Sequence, residues 1–220
     1  MPTIRLLLAC LLTVLFGAGC LPALSQNCNL SGTPAWNPTL HNVIADCPDS
    51  FTSPNGEFAL RISIEGVMLL SAKSEQKKLR WTGSKLVPPA MLSWSPESNA
   101  FFLNDGDGSG MSSSFRLFRI KGAEVSEDKS IGRAAVSFYR RRVHCASSAA
   151  DPNVWGFGWD AHGRKIFLLV QPTVNEPCGR PDDFIGLVIQ TSDGKIVESI
   201  SKTQMKERFG SQLPPSLFSE

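Results

Sequence analysis

The chain has 220 residues, 42% of them hydrophobic, and 22 Lys and Arg face 20 Asp and Glu for a formal net charge of +2. That length supports a single domain with a real core. The near-neutral balance argues against a nucleic-acid footprint or a strongly acidic partner.

The N-terminus carries one positive charge, Arg5, ahead of an apolar run from Leu6 to Leu15. The run is shorter than the roughly 20 residues of a membrane span and small residues follow it, the pattern of an export signal. Ala23-Leu24-Ser25 has the small-x-small form of an ordinary cleavage site, which makes residues 1–25 a signal peptide and 26–220 one β-rich domain. A second reading competes with it. Phe16-Gly17-Ala18-Gly19-Cys20 resembles the bacterial lipobox, in which residues 1–19 are removed and Cys20 is acylated; Gly17 stands where that pattern has leucine. Either route places the mature chain in the periplasm, on the outer membrane as a lipoprotein, or outside the cell. Beyond the signal, Cys28, Cys47, Cys145 and Cys178 form an even set, as a disulfide framework in an oxidising compartment requires. Of the three connectivities, Cys28–Cys47 and Cys145–Cys178 are expected, the first clipping the N-terminal segment and the second joining two insertions.

The body of the chain reads as one unit written three times. The turn Ser53-Pro54-Asn55-Gly56 recurs as Trp94-Ser95-Pro96-Glu97-Ser98 and as Trp159-Asp160-Ala161-His162-Gly163, and an apolar run follows each copy. Serine or aspartate opens such a turn by bonding nearby backbone, proline presets φ, and glycine accepts positive φ at its end. The first unit is expected to use strands Leu40–Ala45, Glu57–Ile64, Val67–Ala72 and Lys78–Thr82. The second uses Ala90–Ser95, Asn99–Asn104, Ser114–Ile120 and Ala123–Glu127. The third uses Val154–Trp159, Arg164–Gln171, Phe184–Gln190 and Lys195–Ser199. Two insertions interrupt the pattern, Arg140–Asn153, which lacks strand periodicity, and Gln171–Asp183. Only Gln204–Phe209 reads as a helix. The fold class is therefore all-β, a propeller-like stack of about three four-stranded meanders, with a β-sandwich or an open half-propeller as the alternatives.

The aromatic-Ser-Pro-x-[Gly/Ser] turn, an apolar strand after it, and a later strand such as Phe115-Arg116-Leu117-Phe118-Arg119-Ile120 resemble the WD40-like β-propeller repeats of the TolB type. The resemblance spans residues 50–201. Asn55, Glu97 and His162 stand where those repeats carry aspartate, and Ala161 replaces the proline of the third copy. The resemblance implies a scaffolding or interaction role and transfers no site residue. Three units leave sheet edges open, which a symmetric oligomer completing the ring, or the segment before the first unit, would cover.

Several constellations carry candidate chemistry. Asn104-Asp105-Gly106-Asp107-Gly108 spaces carboxylates as a calcium loop does, with Asp105 and Asp107 as ligands, but Phe115 stands where an EF-hand has glutamate. No C-x-x-C pair supports zinc. His144 adjoins Cys145, yet a disulfide sulfur is no nucleophile, and no G-x-S-x-G motif is present. Arg140, Arg141 and Arg142 form a basic cluster suited to an anionic surface, and Asp182 and Asp183 stand where the second disulfide would draw them towards it. Trp155-Gly156-Phe157-Gly158-Trp159 is expected to set its aromatics on one strand face and its glycines on the other. The resulting expectation is an exported envelope protein without a catalytic site, binding a protein partner through the two insertions at Arg140, Arg141, Arg142, Asp182 and Asp183. A polysaccharide or peptide hydrolase using Asp105, Asp107 and Asp160, and an inhibitor or immunity-type protein, are the alternatives.

Overall fold

The structure, a computed structural model, describes residues 42–44, 49–62, 68–72, 77–79, 86, 90–106, 113–122, 124–146, 148–173, 178–180, 183–213 and 215–218. The signal segment with Cys20, the pair Cys28 and Cys47, and Asp107 and Asp182 lie outside the described residues. The strands run β1 (Asn42–Ile44), β2 (Asp49–Thr52), β3 (Phe58–Ile62), β4 (Met68–Ala72), β5 (Lys77–Leu79), β6 (Ala90–Trp94), β7 (Ala100–Asp105), β8 (Ser114–Lys121) and β9 (Glu124–Asp128), then β10 (Asn153–Trp159), β11 (Lys165–Gln171), β12 (Ile185–Gln190) and β13 (Ile196–Ile200). They form three antiparallel meanders in sequence order, β2-β3-β4-β5, β1-β6-β7-β8-β9 and β10-β11-β12-β13. The all-β expectation holds at this level, and among the described residues no sheet closes on itself.

The repeated turn is one hairpin built three times. Ser53 N–H donates to Phe58 O, Ser95 N–H to Ala100 O and Asp160 N–H to Lys165 O, while Gly56, Ser98 and Gly163 donate back to Ser53, Ser95 and Asp160. The opening side chain closes each loop in the same way: Phe58 N–H donates to Ser53 Oγ at 3.0 Å, Ala100 N–H to Ser95 Oγ at 3.1 Å and Lys165 N–H to Asp160 Oδ1 at 2.8 Å. Each turn ends at positive φ, on Gly56, Ser98 and Gly163. The turns also touch. Asn55 N–H donates to Ser98 Oγ at 3.1 Å, and the Cα of Gly163 faces Ser95 and Pro96, so the three copies lie in a row.

This geometry corrects the first unit. Its opening strand is β2, which runs straight into the Ser53 turn and pairs Thr52 with Ala59. Residues 42–44, expected to open the first meander, instead add to the edge of the second, with Asn42 opposite Leu92 and Ile44 opposite Ala90. A hairpin turn needs its strand immediately before it, and Leu40–Ala45 is too far upstream.

Both faces of the middle sheet are buried. Leu92, Trp94, Phe101, Leu103 and Phe118 pack against Phe51, Leu60 and Leu70 of the first sheet. On the opposite face, Phe102, Phe115 and Leu117 meet Val154, Ile166, Leu168 and Leu187 of the third. Alternation along β7, with Phe101 and Leu103 one way and Phe102 the other, is the period-two consequence of a strand buried on both sides. The outer face of the third sheet, with Phe157, Leu169 and Val188, is covered by Met205 and Phe209 of α2 (Lys202–Phe209). A capping box starts α2, in which Ser201 Oγ accepts from Gln204 N–H while Gln204 Oε1 accepts from Ser201 N–H. The expected helix Gln204–Phe209 is thus present and starts two residues earlier, at Lys202. Its approach depends on Gly186, where a Cβ would stand 2.5 Å from Met205 Sδ.

The Trp155–Trp159 strand departs from expectation. A β-bulge between Gly156 and Gly158 shifts the register against β11. Phe157 joins the α2 side, but Trp159 packs on the other, against Phe102 at 5.5 Å, with its Nε1 donating to Ser93 Oγ. The extra residue of a bulge breaks strict alternation, so the aromatics do not share a face. Gly156 is where the middle sheet comes closest: its N–H donates to Asn104 Oδ1 and its carbonyl accepts from Asn104 Nδ2, both at 2.7 Å.

A helix that the sequence reading did not assign leads into the insertion Arg140–Asn153 and ends within its first three residues. Between β9 and β10 runs α1 (Ser130–Arg142), burying Ile131, Ala135 and Tyr139 in the core shared by the second and third sheets. The extra length of the third unit therefore begins ten residues before Arg140, in an amphipathic helix.

Candidate functional site

Helix α1 and the loops at its ends organise the one region where functional side chains converge in the described structure. At its start, the Asp128 carboxylate accepts from Ser130 N–H at 2.9 Å and from the Ser130 hydroxyl. Burial pushes the Asp128 carboxyl up, but these hydrogen bonds and the one from Arg119 outweigh it and hold the group below its ordinary value. Arg119 reaches on to the Thr191 carbonyl, joining the middle sheet to the β12–β13 turn. At the far end, Arg140, Arg141 and Arg142 occupy the last turn, where cations favour the negative end of the helix dipole.

The expected bridge is present: Cys145 and Cys178 are joined, with Cα atoms 5.2 Å apart. Around it the two insertions are sewn together. Tyr139, fully buried, donates its hydroxyl to the Asp183 carbonyl. Burial, then the negative charge of Asp183, pushes its phenol up to about 12. Arg140 donates to the carbonyls of Ala149 and Ala146 and pairs with Asp151 at 3.0 Å. Asp183 caps the Arg180 N–H at 2.8 Å and lies 3.7 Å from its guanidinium. Asp183 therefore serves its own loop, and Arg140 takes Asp151 as its acid. Arg141 and Arg142 are exposed and have no ion pair among the described residues. His144, exposed and at φ +54°, ends the helix.

Beside the first half of α1 a cleft of about 680 Å³ opens. Its origin is topological. Strand β9 pairs with β8 only between Leu117 and Lys121, then leaves to become α1, so Ser114–Arg116 run past its end as a wall. Lys129 and Arg133 stand on the helix side, and Phe115, Val136 and Val154 add apolar surface. A buried guanidinium anchors the inner end. Arg116, 7% exposed, donates to Asp105 Oδ2 at 3.2 Å and to both oxygens of Glu127 at 3.2 and 3.3 Å. Asp105 Oδ1 and the hydroxyl of Ser113, a residue itself 7% exposed, are buried without a hydrogen-bond partner.

Of the calcium-loop candidates, Asp107 lies outside the described residues. Asn104 bonds Gly156 of the third sheet, and Asp105 pairs with Arg116. Among the described residues no three His, Cys, Asp or Glu side chains cluster as a metal site would need. Asp160, the third carboxylate considered for hydrolysis, closes its own hairpin and lies outside the cleft. Sequence reasoning missed Arg116, Glu127, Ser113, Lys129 and Arg133. An arginine between Phe115 and Leu117 in an apolar strand was the available signal, because a buried guanidinium demands acids nearby. Among the described residues no helix is long and apolar enough to cross a membrane. No protein-family model matches the chain, and no curated protein sequence matches it.

Proposed function

We propose that this chain is an exported, disulfide-stabilised module of the bacterial envelope that binds a protein partner through the surface built by its two insertions, which meets a local acidic patch on that partner. Its scaffold is an open, propeller-like run of three blades related to the TolB-type repeats. Support for the scaffold comes from the identical turn chemistry of the three copies and the order of the meanders along the chain. The observation that carries the functional reading is the charge of α1. The helix has four arginines and no acid, and only Arg140 is neutralised by an ion pair among the described residues. Arg141 and Arg142 thus project from a platform fixed by the Cys145–Cys178 bridge and the Tyr139–Asp183 bond. A rigid base lowers the ordering cost of binding, and unopposed cations favour an acidic patch on the partner.

The test is cross-linking in the native envelope with the wild-type chain and with Arg141→Glu/Arg142→Glu. Both positions are exposed, so the double variant is expected to fold normally. Wild type should capture one dominant partner, and charge reversal should reduce capture at least about tenfold, because like charges across an interface cost several kcal/mol. Equal capture by both proteins would remove the insertions as the binding surface.

A further inference from the structure

We propose that the cleft beside α1 holds an extended acidic segment of the protein partner, with carboxylates at alternate positions paired to one row of side chains on the helix. The inference rests on the partner reading above and specifies the segment that is recognised. Lys129, Arg133, Ser137 and Arg141 follow one another at four-residue intervals, and all four are exposed. Lys129 already has helical backbone angles and its carbonyl accepts from Arg133 N–H, so the row is continuous. Residues four apart on a helix are neighbours on its surface. The first three line the cleft, and Arg141 carries the row past its end onto the surface built by the insertions. Their side chains make no ion pair or hydrogen bond among the described residues. Each acid on the lining is by contrast held by an arginine: Asp105 and Glu127 by Arg116, Asp128 by Arg119 and Asp151 by Arg140. The unpaired side-chain charges facing the cleft are thus the cations of α1.

Spacing and volume together select an extended chain. Four residues of helix rise about 6 Å, and alternate residues of a strand, which point the same way, are about 6.6 Å apart. A carboxylate at every second position of an extended segment therefore meets Lys129, Arg133, the Ser137 hydroxyl and Arg141 in turn. A partner helix would present a similar spacing, so the volume decides. Between Lys129 and Ser137 the row is about 12 Å long. Over that length a strand of about 4.8 Å by 10 Å in section fills about 580 Å³, and a helix about 10 Å across fills about 940 Å³. The cleft holds about 680 Å³, enough for the first and too little for the second. The intervening side chains of the segment turn away from α1, towards Pro152 and Val154 on the rest of the lining.

Calorimetric titration of the full chain with capped heptapeptides at low salt tests this directly. Acetyl-Glu-Ala-Glu-Ala-Glu-Ala-Glu-amide spans the row. Its isomer acetyl-Glu-Glu-Ala-Ala-Ala-Glu-Glu-amide has the same charge but, when extended, turns only two carboxylates towards α1 at a time. The alternating peptide should bind at least about threefold more tightly than the isomer, because one exposed ion pair contributes up to about fivefold. Its glutamine counterpart, which has no charge, should bind at least about tenfold more weakly. Lys129→Ala/Arg133→Ala, at exposed positions that leave the fold intact, should weaken the alternating peptide more than the isomer. Equal binding of the two isomers, equal loss of both in that variant, or heat from neither up to millimolar concentration would overturn the proposal. Cross-linking in the native envelope separates this failure from failure of the partner reading. Capture lost in Arg141→Glu/Arg142→Glu but kept in full in Lys129→Ala/Arg133→Ala would leave the partner surface standing and remove the cleft from it.

Discussion

Single atoms at the sheet–sheet junctions decide how closely the meanders approach. Gly156 is the sharpest case, because a Cβ there would stand 2.7 Å from the Phe102 ring, which is itself fully buried and held by Phe115 and Trp159. Neither side can yield: the ring is wedged, and the backbone of Gly156 is pinned at both polar groups by Asn104. Gly156→Ala should therefore destabilise the protein by about 1–3 kcal/mol, the usual cost of overpacking a core, read as a lower denaturation midpoint with unchanged slope. A midpoint equal to wild type would mean that the sheets separate freely, and the view of Asn104 as their clamp would fail. The glycine was visible in sequence, as was its potential for close approach. Its partner was not, because the two residues meet across 52 positions of sequence. The same limit hid the cleft: Asp105, Arg116 and Glu127 belong to three strands, and only the meander's register makes them one ion cluster.

Elements were legible where local chemistry determines them and obscure where it does not. Turn and strand fall together at Ser53, Ser95 and Asp160 because a side-chain acceptor closing a hairpin is a short-range device. Strand β1 was misassigned because pairing with β6 depends on which edge is free, information that no window around Asn42 contains. Helix α1 is a different kind of miss. Ile131, Ala135 and Tyr139 repeat at helical spacing, with Ala134 and Phe138 beside them, so the signal was present, and the run of arginines drew attention from it. The start of α1 also makes a pH prediction. The Asp128 carboxyl sits below its ordinary value in the folded protein, so the unfolded chain binds its proton more tightly. The stability that follows is fully present above the unfolded value of about 3.9 and is lost as pH falls through the lower folded value. Wild type should thus lose stability more steeply than Asp128→Asn on acidification below about pH 4, with the variant weaker at neutral pH and the two curves converging in acid. Parallel curves would show that Asp128 does not anchor the helix.

At the scale of the molecule, the question is how a run of three sheets ends. A closed ring would require the outer face of the third sheet to meet another sheet, either within the chain or from a symmetric copy. In this chain α2 already occupies that face. Met205 is fully buried and Phe209 nearly so, and the Phe209 ring lies 5.2 Å from both Phe157 and Phe167. An eight-residue helix is marginal by itself even with a capping box, so its order must come from this packing. Removing the ring of Phe209 takes away about 3–5 kcal/mol from an element with little intrinsic stability to offset the loss. Phe209→Ala should therefore release α2 and leave the core of the other face, around Phe102 and Leu187, intact. Release would uncover Phe157, Leu169 and Val188 together, and an apolar sheet face of that kind drives association. Hydrogen exchange should show protection lost across residues 202–209 but kept in β11 and β12, and light scattering should show the variant associating at concentrations where the wild type does not. Protection retained in α2, or association of both proteins to the same degree, would mean that the helix is no cap and that the stack ends against a second copy.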